Sequence, residues 1–200
     1  MELNLLNRLI KQAMNPDGIV GSLMLRIMNT AHIQMNKWAL EKIKPGEGSV
    51  MLDVGCGGGK TLQLLSKLST YGKIYGIDYS EQAVKNSIRV NKTDVATGKI
   101  HIQQASVTDI PFSDNMFDII TAFQTHYFWT DLETSVKEVY RVLKQKGCFY
   151  IIAELYKINY HMKVYKTKEE VVRLFQQSGF NTVEFYENQN KKCILIKGIK

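Results

Sequence analysis

The sequence predicts a single α/β domain: a doubly wound, mostly parallel sheet with helices packed on both faces. Beyond about residue 49, short apolar runs of strand length alternate with segments of helical periodicity, the pattern of βαβ units around a parallel sheet. The first apolar run leads straight into a glycine-rich turn, Leu52-Asp53-Val54-Gly55-Cys56-Gly57-Gly58-Gly59-Lys60-Thr61, and then into a helical stretch. With 200 residues, the chain can bury one sizeable core and is short for two.

Each element has its own signal. Leu23–Ile43 is an amphipathic helical segment ahead of the sheet, and Ser49–Val54 is a buried strand. A helical run follows near Lys60–Leu68, and Lys73–Asp78 is the second strand. Ser80 suits an N-cap for a helix reaching about Asn91, because its hydroxyl can accept from a free amide of the first turn. Lys99–Gln104 and Phe117–Phe123 are the third and fourth strands. Leu132, Val136, Val139, Tyr140 and Leu143 recur at helical spacing, with Gly147 as the expected stop before a fifth strand, Cys148–Leu155. Thr167-Lys168-Glu169-Glu170 has the capping-box pattern of a helix that Gly179 ends. Asn181–Glu187 and Lys192–Gly198, joined by the polar turn Asn188-Gln189-Asn190, read as an antiparallel hairpin. The total is seven strands, with one reversed strand expected at the edge.

Composition narrows the function classes. A hydrophobic fraction of 44% with 22% charged residues argues against wholesale disorder. No apolar run approaches the roughly 20 residues of a membrane-spanning helix, and the N-terminal stretch lacks a signal-peptide core. Cys56, Cys148 and Cys193 are odd in number and far apart. A disulfide framework is therefore not expected, and a reducing cytoplasm is. The four histidines, His32, His101, His126 and His161, show no ligand spacing, so no metal is expected. A net charge of +7 raises the question of nucleic acid. The basic residues are scattered, however, and read as a solvated surface. Nothing in the sequence specifies an oligomeric state.

The glycine-rich turn admits three readings. A phosphate-cradling loop needs G-x-x-x-x-G-K-[ST]. Counting back from Gly59-Lys60-Thr61 the first glycine would fall at Val54, but it stands at Gly55. That reading fails by one residue. A dinucleotide fingerprint would put its third glycine where Lys60 stands, crowding the helix–strand contact. The third reading is a loop for S-adenosylmethionine (SAM). Gly55 and Gly57 permit a tight turn and close backbone approach, and Asp53 at the strand end can order the loop. Asp78 ends the second strand, where a carboxylate can take both hydroxyls of a ribose. Asp78 alone does not separate SAM from NAD.

The segments LDVGCGGG, YGIDYS, ASVTDIPFSDNMFDII and YRVLKQKGCFYII occur in that order. In them the chain resembles the class I SAM-dependent methyltransferases, specifically the small-molecule branch related to ubiquinone and menaquinone biosynthesis enzymes. The resemblance runs from about Ser49 to the C-terminus. It implies a Rossmann-like three-layer α/β/α sandwich with strand order 3-2-1-4-5-7-6, strand 7 antiparallel. Residues 49–200 would form the SAM-binding domain and residues 1–48 a helical lid. Asp53, Gly55, Cys56 and Gly57 would line the methionine part of SAM, Asp78 would bind the ribose, and Tyr79 would pack on the adenine. Phe123 joins this cofactor-binding set. Many family members carry Asp-Ala where this chain has Ser106-Val107. Ser106 either makes the adenine contact of that Asp or is a plain loop serine.

The acceptor side is less specific. Phe123-Gln124-Thr125-His126-Tyr127-Phe128-Trp129 follows the fourth strand, where this fold places its active-site wall. His126 is a candidate general base or a structural histidine, and Tyr127 and the other aromatics could hold a cationic group. His32 and Trp38, within a methionine-rich segment (Met14, Met24, Met28, Met35), are candidate acceptor contacts in the lid. The expectation is methyl transfer to a small molecule by direct in-line displacement, with S-adenosylhomocysteine (SAH) as product. The alternatives are a nucleic-acid or protein methyltransferase, and a SAM- or NAD-binding module without transferase activity. Phe123–Trp129 lacks the proline motif of base-amino enzymes, and no Pro-Cys nucleophile is present.

Overall fold

The computed structural model describes residues 10, 12 and 14–200. The first residues of the expected lid, 1–9, 11 and 13, lie outside the described residues. Among the described residues, α1 (Gly18–Ala31) and α2 (Ile33–Leu40) lie ahead of the sheet. Then come β1 (Met51–Val54), α3 (Lys60–Leu68), β2 (Ile74–Asp78), α4 (Glu81–Val90), α5 (Lys92–Ala96) and β3 (Ile100–Gln104). The second half holds β4 (Phe117–Phe123), a 3₁₀ turn (His126–Phe128), α6 (Leu132–Val142) and β5 (Leu143–Glu154). It ends with α7 (Leu155–His161), α8 (Lys168–Gln177), β6 (Thr182–Glu187) and β7 (Cys193–Ile199).

The sheet order is β3-β2-β1-β4-β5-β7-β6, as the resemblance implies. β1 pairs in parallel with both β2 and β4, and all four of its residues are buried, which suits an unbroken apolar run between two helical layers. Alternate side chains feed two cores. Leu52, Ile120 and Phe149 pack with Val136 and Val139 of α6 and with Leu174 and Phe175 of α8. On the other face, Met51, Ile119 and Tyr150 pack with Leu62 and Leu65 of α3 and with Ala39 and Leu40 of α2.

Four local expectations change. The reversed strand is not at the edge: β7 lies between β5 and β6 and is antiparallel to both. Its Cys193, Ile194, Leu195 and Ile196 are buried, whereas β6 is half-exposed, so the more apolar strand takes the inner place. The helix before β5 ends at Val142, not near Gly147, because fully buried Leu143 turns extended and pairs with Phe117. Leu155 opens α7 instead of ending a strand. Finally, the N-terminal helical segment begins at Gly18 and breaks at His32, whose φ of −93° and ψ of 4° leave the helical region.

Candidate functional site

The loop after β1 is shaped by its glycines. Gly55, Gly57 and Gly59 have φ of 74°, 51° and 80°, a region L side chains rarely enter. A Cβ on Gly55 would run into Thr125, so strand β1 can leave the sheet beside β4 only as glycine. At Gly57 the constraint differs. A Cβ there would meet nothing closer than Leu25 Cδ2 at 3.7 Å, so the space beside Gly57 is open. Gly55 and Cys56 both donate N–H bonds to the Ile77 carbonyl, at 2.8 and 3.0 Å, which ties the loop to the end of β2.

Asp78, at that end, completes the tie. Its Oδ2 accepts from Gly57 N–H at 2.8 Å and its Oδ1 from Ser80 N–H at 2.9 Å. Ser80 in turn caps α4, its hydroxyl accepting from Ala83 N–H at 3.1 Å. Burial raises the Asp78 pKa above its ordinary value, while the two backbone amides pull it down. A carboxylate has about four lone-pair directions, so two remain for a ligand.

Above the loop is a cavity of about 440 Å³, within the range of small-molecule and cofactor sites. Of the residues singled out from sequence, Gly55, Cys56, Gly57, Asp78, Tyr79, Ser106, Val107, Phe123 and His32 border it. Tyr79 is 68% exposed at its rim. The Ser106 hydroxyl lies 2.7 Å from that of Thr108. The Cys56 thiol is pushed well above its ordinary pKa by burial and by Asp78 and Asp53, which keeps it protonated and poorly nucleophilic. Among the described lining residues Asp78 is the only charged one, although the chain carries +7 overall.

Four expected site residues do not border this cavity. Asp53 is enclosed between strands, 1% exposed. Its Oδ1 accepts from Thr121 Oγ1 at 2.7 Å, and its Oδ2 has no partner among the described residues. Burial raises its pKa to about 7, against the Thr121 bond, with Asp78 adding to the rise. His126 opens instead on a second cavity of about 30 Å³ among Ile158, Val171, Leu174 and Phe175. Burial drops its pKa to about 3, so it is a neutral core histidine. It borders this second cavity and is not among the residues that border the main one. Tyr127 lies one step behind the wall, its hydroxyl donating to Gln124 Oε1 at 2.8 Å. Trp38 packs against the apolar cluster that includes Met35 and Leu40.

Residues 52–151, half of the chain, match the methyltransferase-domain family. The chain belongs to the class I SAM-dependent methyltransferases. Over 148 residues it is 31% identical to the ubiquinone/menaquinone biosynthesis C-methyltransferase UbiE of Geotalea daltonii, covering 70% of this chain and 63% of the relative. Over 98 residues it is 38% identical to the mitochondrial arginine-hydroxylase NDUFAF5 of Rattus norvegicus, covering 49% of this chain and 26% of that protein. The chain thus spans less than two thirds of the length of either curated relative. A crystal structure of a SAM-dependent methyltransferase from Aquifex aeolicus has the same fold, with a TM-score of 0.75 at 21% identity over 89% of this chain and 97% of that one.

The methyltransferase domain also has a polar network that sequence reading missed, two members of which, Gln124 and His32, border the cavity. Gln124, just past β4, takes the left-handed region at φ 58°. Its Nε2 donates to Glu154 Oε2 at 2.9 Å and to Met35 Sδ at 3.2 Å. Glu154 pairs with Lys157 at 3.0 Å, and Lys157 Nζ lies 2.9 Å from His32 Nε2. His32 is held neutral near pH 7: burial first, then Lys157, lower its pKa to about 4, with Glu154 opposing. Left-handed backbone in a non-glycine residue is the one sequence-silent mark of strain here. No spacing rule joins residues 32, 124, 154 and 157.

Proposed function

We propose that this methyltransferase domain binds SAM on the Gly55–Gly57 loop and Asp78 and transfers its methyl group to a small-molecule acceptor by direct in-line displacement. One observation carries the reading: a cavity floored by the loop and Asp78, bordered by Leu25, Met28 and His32 of the N-terminal helices, with Asp78 its only described charge. The open space beside Gly57, which a Cβ would fill, suits close backbone contact with the cofactor. The free lone pairs of Asp78 suit two ribose hydroxyls, and Tyr79, Ser106 and Val107 suit the adenine. Bound SAM supplies an electrophilic methyl on a sulfonium. The chain's part is to hold the acceptor in line and keep water out, which requires no charged catalytic group. Phe123, Phe128 and Trp129 border the same space and favour a cation there through their ring faces. No Lys or Arg is among the described residues that border the cavity, which disfavours a nucleic-acid acceptor, whose phosphates need cations.

The N-terminal helices act as a lid over the acceptor in this reading. Leu25 approaches Gly57, and α1 is held to α4 by hydrogen bonds among Ser22, Gln82 and Asn86. Three free thiols suit a reducing, cytoplasmic compartment. Calorimetry with SAH, SAM and NAD, followed by an acceptor screen read as SAH release, tests the proposal. Binding of SAH but not NAD, with turnover lost on deleting residues 1–36, is the expected result. Tight NAD binding without SAH binding would overturn it.

A further inference from the structure

Helix α1 turns one face to the protein and leaves the other bare. Leu25, on the inner face, is buried and borders the main cavity together with Met28. On the outer face Ile19 is 89% exposed, and Val20, Leu23 and Ile27 are each more than half exposed. Ile19, Leu23 and Ile27 recur every fourth residue, and Val20 falls one turn from Leu23. At that spacing the four side chains make one stripe along the helix. Single apolar residues on a surface are ordinary, whereas a contiguous stripe marks an interaction surface. Charge indicates the partner. The helix contains no acidic residue, and its one charge is exposed Arg26, a turn beyond Ser22. Asn86 of α4 donates to the Ser22 hydroxyl at 3.1 Å and accepts from Arg89 at 3.0 Å, which brings a second exposed arginine to the same seam. Neither arginine has an ion-pair partner among the described residues. The nearest carboxylates are Asp17, the N-cap of α1, and Glu81, which is paired with Lys85 at 2.7 Å.

We propose that α1 docks the protein on an anionic lipid surface, with Ile19, Val20, Leu23 and Ile27 entering the headgroup region and Arg26 and Arg89 facing the lipid phosphates. An apolar stripe edged by cations is the chemistry of a helix that lies in the plane of such an interface. With 14 residues α1 is too short to cross a bilayer, and no described helix is long and apolar enough to do so. A second copy of the chain is the poorer occupant, because it brings a charge of +7 against +7, and like charges repel. The docking face is separate from the methyl-transfer site, since the cavity is bordered by the opposite side of the same helix.

Sedimentation of the full chain with vesicles tests the docking face. Two compositions are compared, phosphatidylcholine alone and phosphatidylcholine with about 30% phosphatidylglycerol, at about 0.1 M salt. Partitioning onto the anionic vesicles should exceed that onto the neutral ones by about 10-fold or more, the effect of two arginines at a negative surface. The triple variant Ile19→Ser, Leu23→Ser, Ile27→Ser should lose more than about 10-fold on the anionic vesicles, since it removes most of the apolar stripe. Arg26→Glu should cut the preference for anionic over neutral vesicles by about 5-fold or more. All four side chains are exposed, so the thermal unfolding midpoint of each variant should match that of the native chain. If the triple variant does not fold, the single change at Arg26 still decides. Binding to neither composition, equal binding to both, a folded triple variant that binds like the native chain, or a preference unchanged in Arg26→Glu would overturn the proposal. So would a dimer in equilibrium sedimentation that the triple variant loses, which would seat a second copy on this face.

Discussion

At its floor the cavity is made of backbone, with Gly55, Gly57 and Gly59 at positive φ and Gly57 N–H fixed on Asp78. On its lid side are side chains, where His32 and Gln124 border the cavity and are held from behind by Lys157 and Glu154. The floor is local: Gly57 and Asp78 are 21 residues apart. The wall spans 125 residues between His32 and Lys157. A site made of backbone conformation tolerates almost no change, because every side chain added fills the ligand's space or strains φ. A site made of side chains can be altered one group at a time. The difference teaches where to test each property of the proposed function: cofactor binding in the floor, acceptor choice on the lid side.

The largest break in that comparison is Gly57→Val. The protein has room for a Cβ there, so circular dichroism should still report an α/β fold. SAH affinity in calorimetry should fall by more than about 100-fold, given the positive φ and the lost space. Full affinity would place the cofactor elsewhere.

His126→Ala tests whether the wall stops where the cavity does. Truncating a buried side chain should cost about 2–4 kcal/mol of stability in urea unfolding, with SAH affinity unchanged. A normal stability with lost turnover would return His126 to the reaction. The pH dependence has a definite sign. The folded pKa values of about 3 for His126 and about 4 for His32 lie below the ordinary 6.5. On acidification the unfolded chain therefore takes up protons at these two histidines first, so their contribution to stability is greatest above pH 6.5 and declines as pH falls toward 4. His126→Leu should flatten part of that decline.

Asp78→Ala should weaken SAH by about 5- to 150-fold, or about 1–3 kcal/mol, and loosen the Gly57 tie as well. The smallest effect is expected at Asp53→Asn. The folded pKa of about 7 lies above the ordinary 3.8, so the native state binds more protons between those values, and stability falls as pH rises through them. The uncharged variant should escape that fall. It should gain at least about 1 kcal/mol over the native chain above pH 7, the worth of one unit of displacement, and the gain should vanish toward pH 4. A pH-independent difference would mean that Asp53 is ionised in the fold.

What the sequence determined by itself was what local rules control. The alternation of strand and helix, the capping box at Thr167 and the N-cap at Ser80 all follow from backbone geometry and nearest neighbours. So does the glycine turn, since positive φ next to a strand end is written in residue type. What tertiary structure decided was every choice between equally good local options. Gly147 and Val142 both could end a helix, and the burial of Leu143 against Phe117 chose Val142. Either hairpin strand could be the edge, and apolar content put β7 inside. His32 and His126 are alike as residues. Only packing placed His32 on the main cavity and His126 in the core, and only packing buried Asn36. Polar walls assembled across 125 residues depend on which elements become neighbours, and no local pattern carries that information.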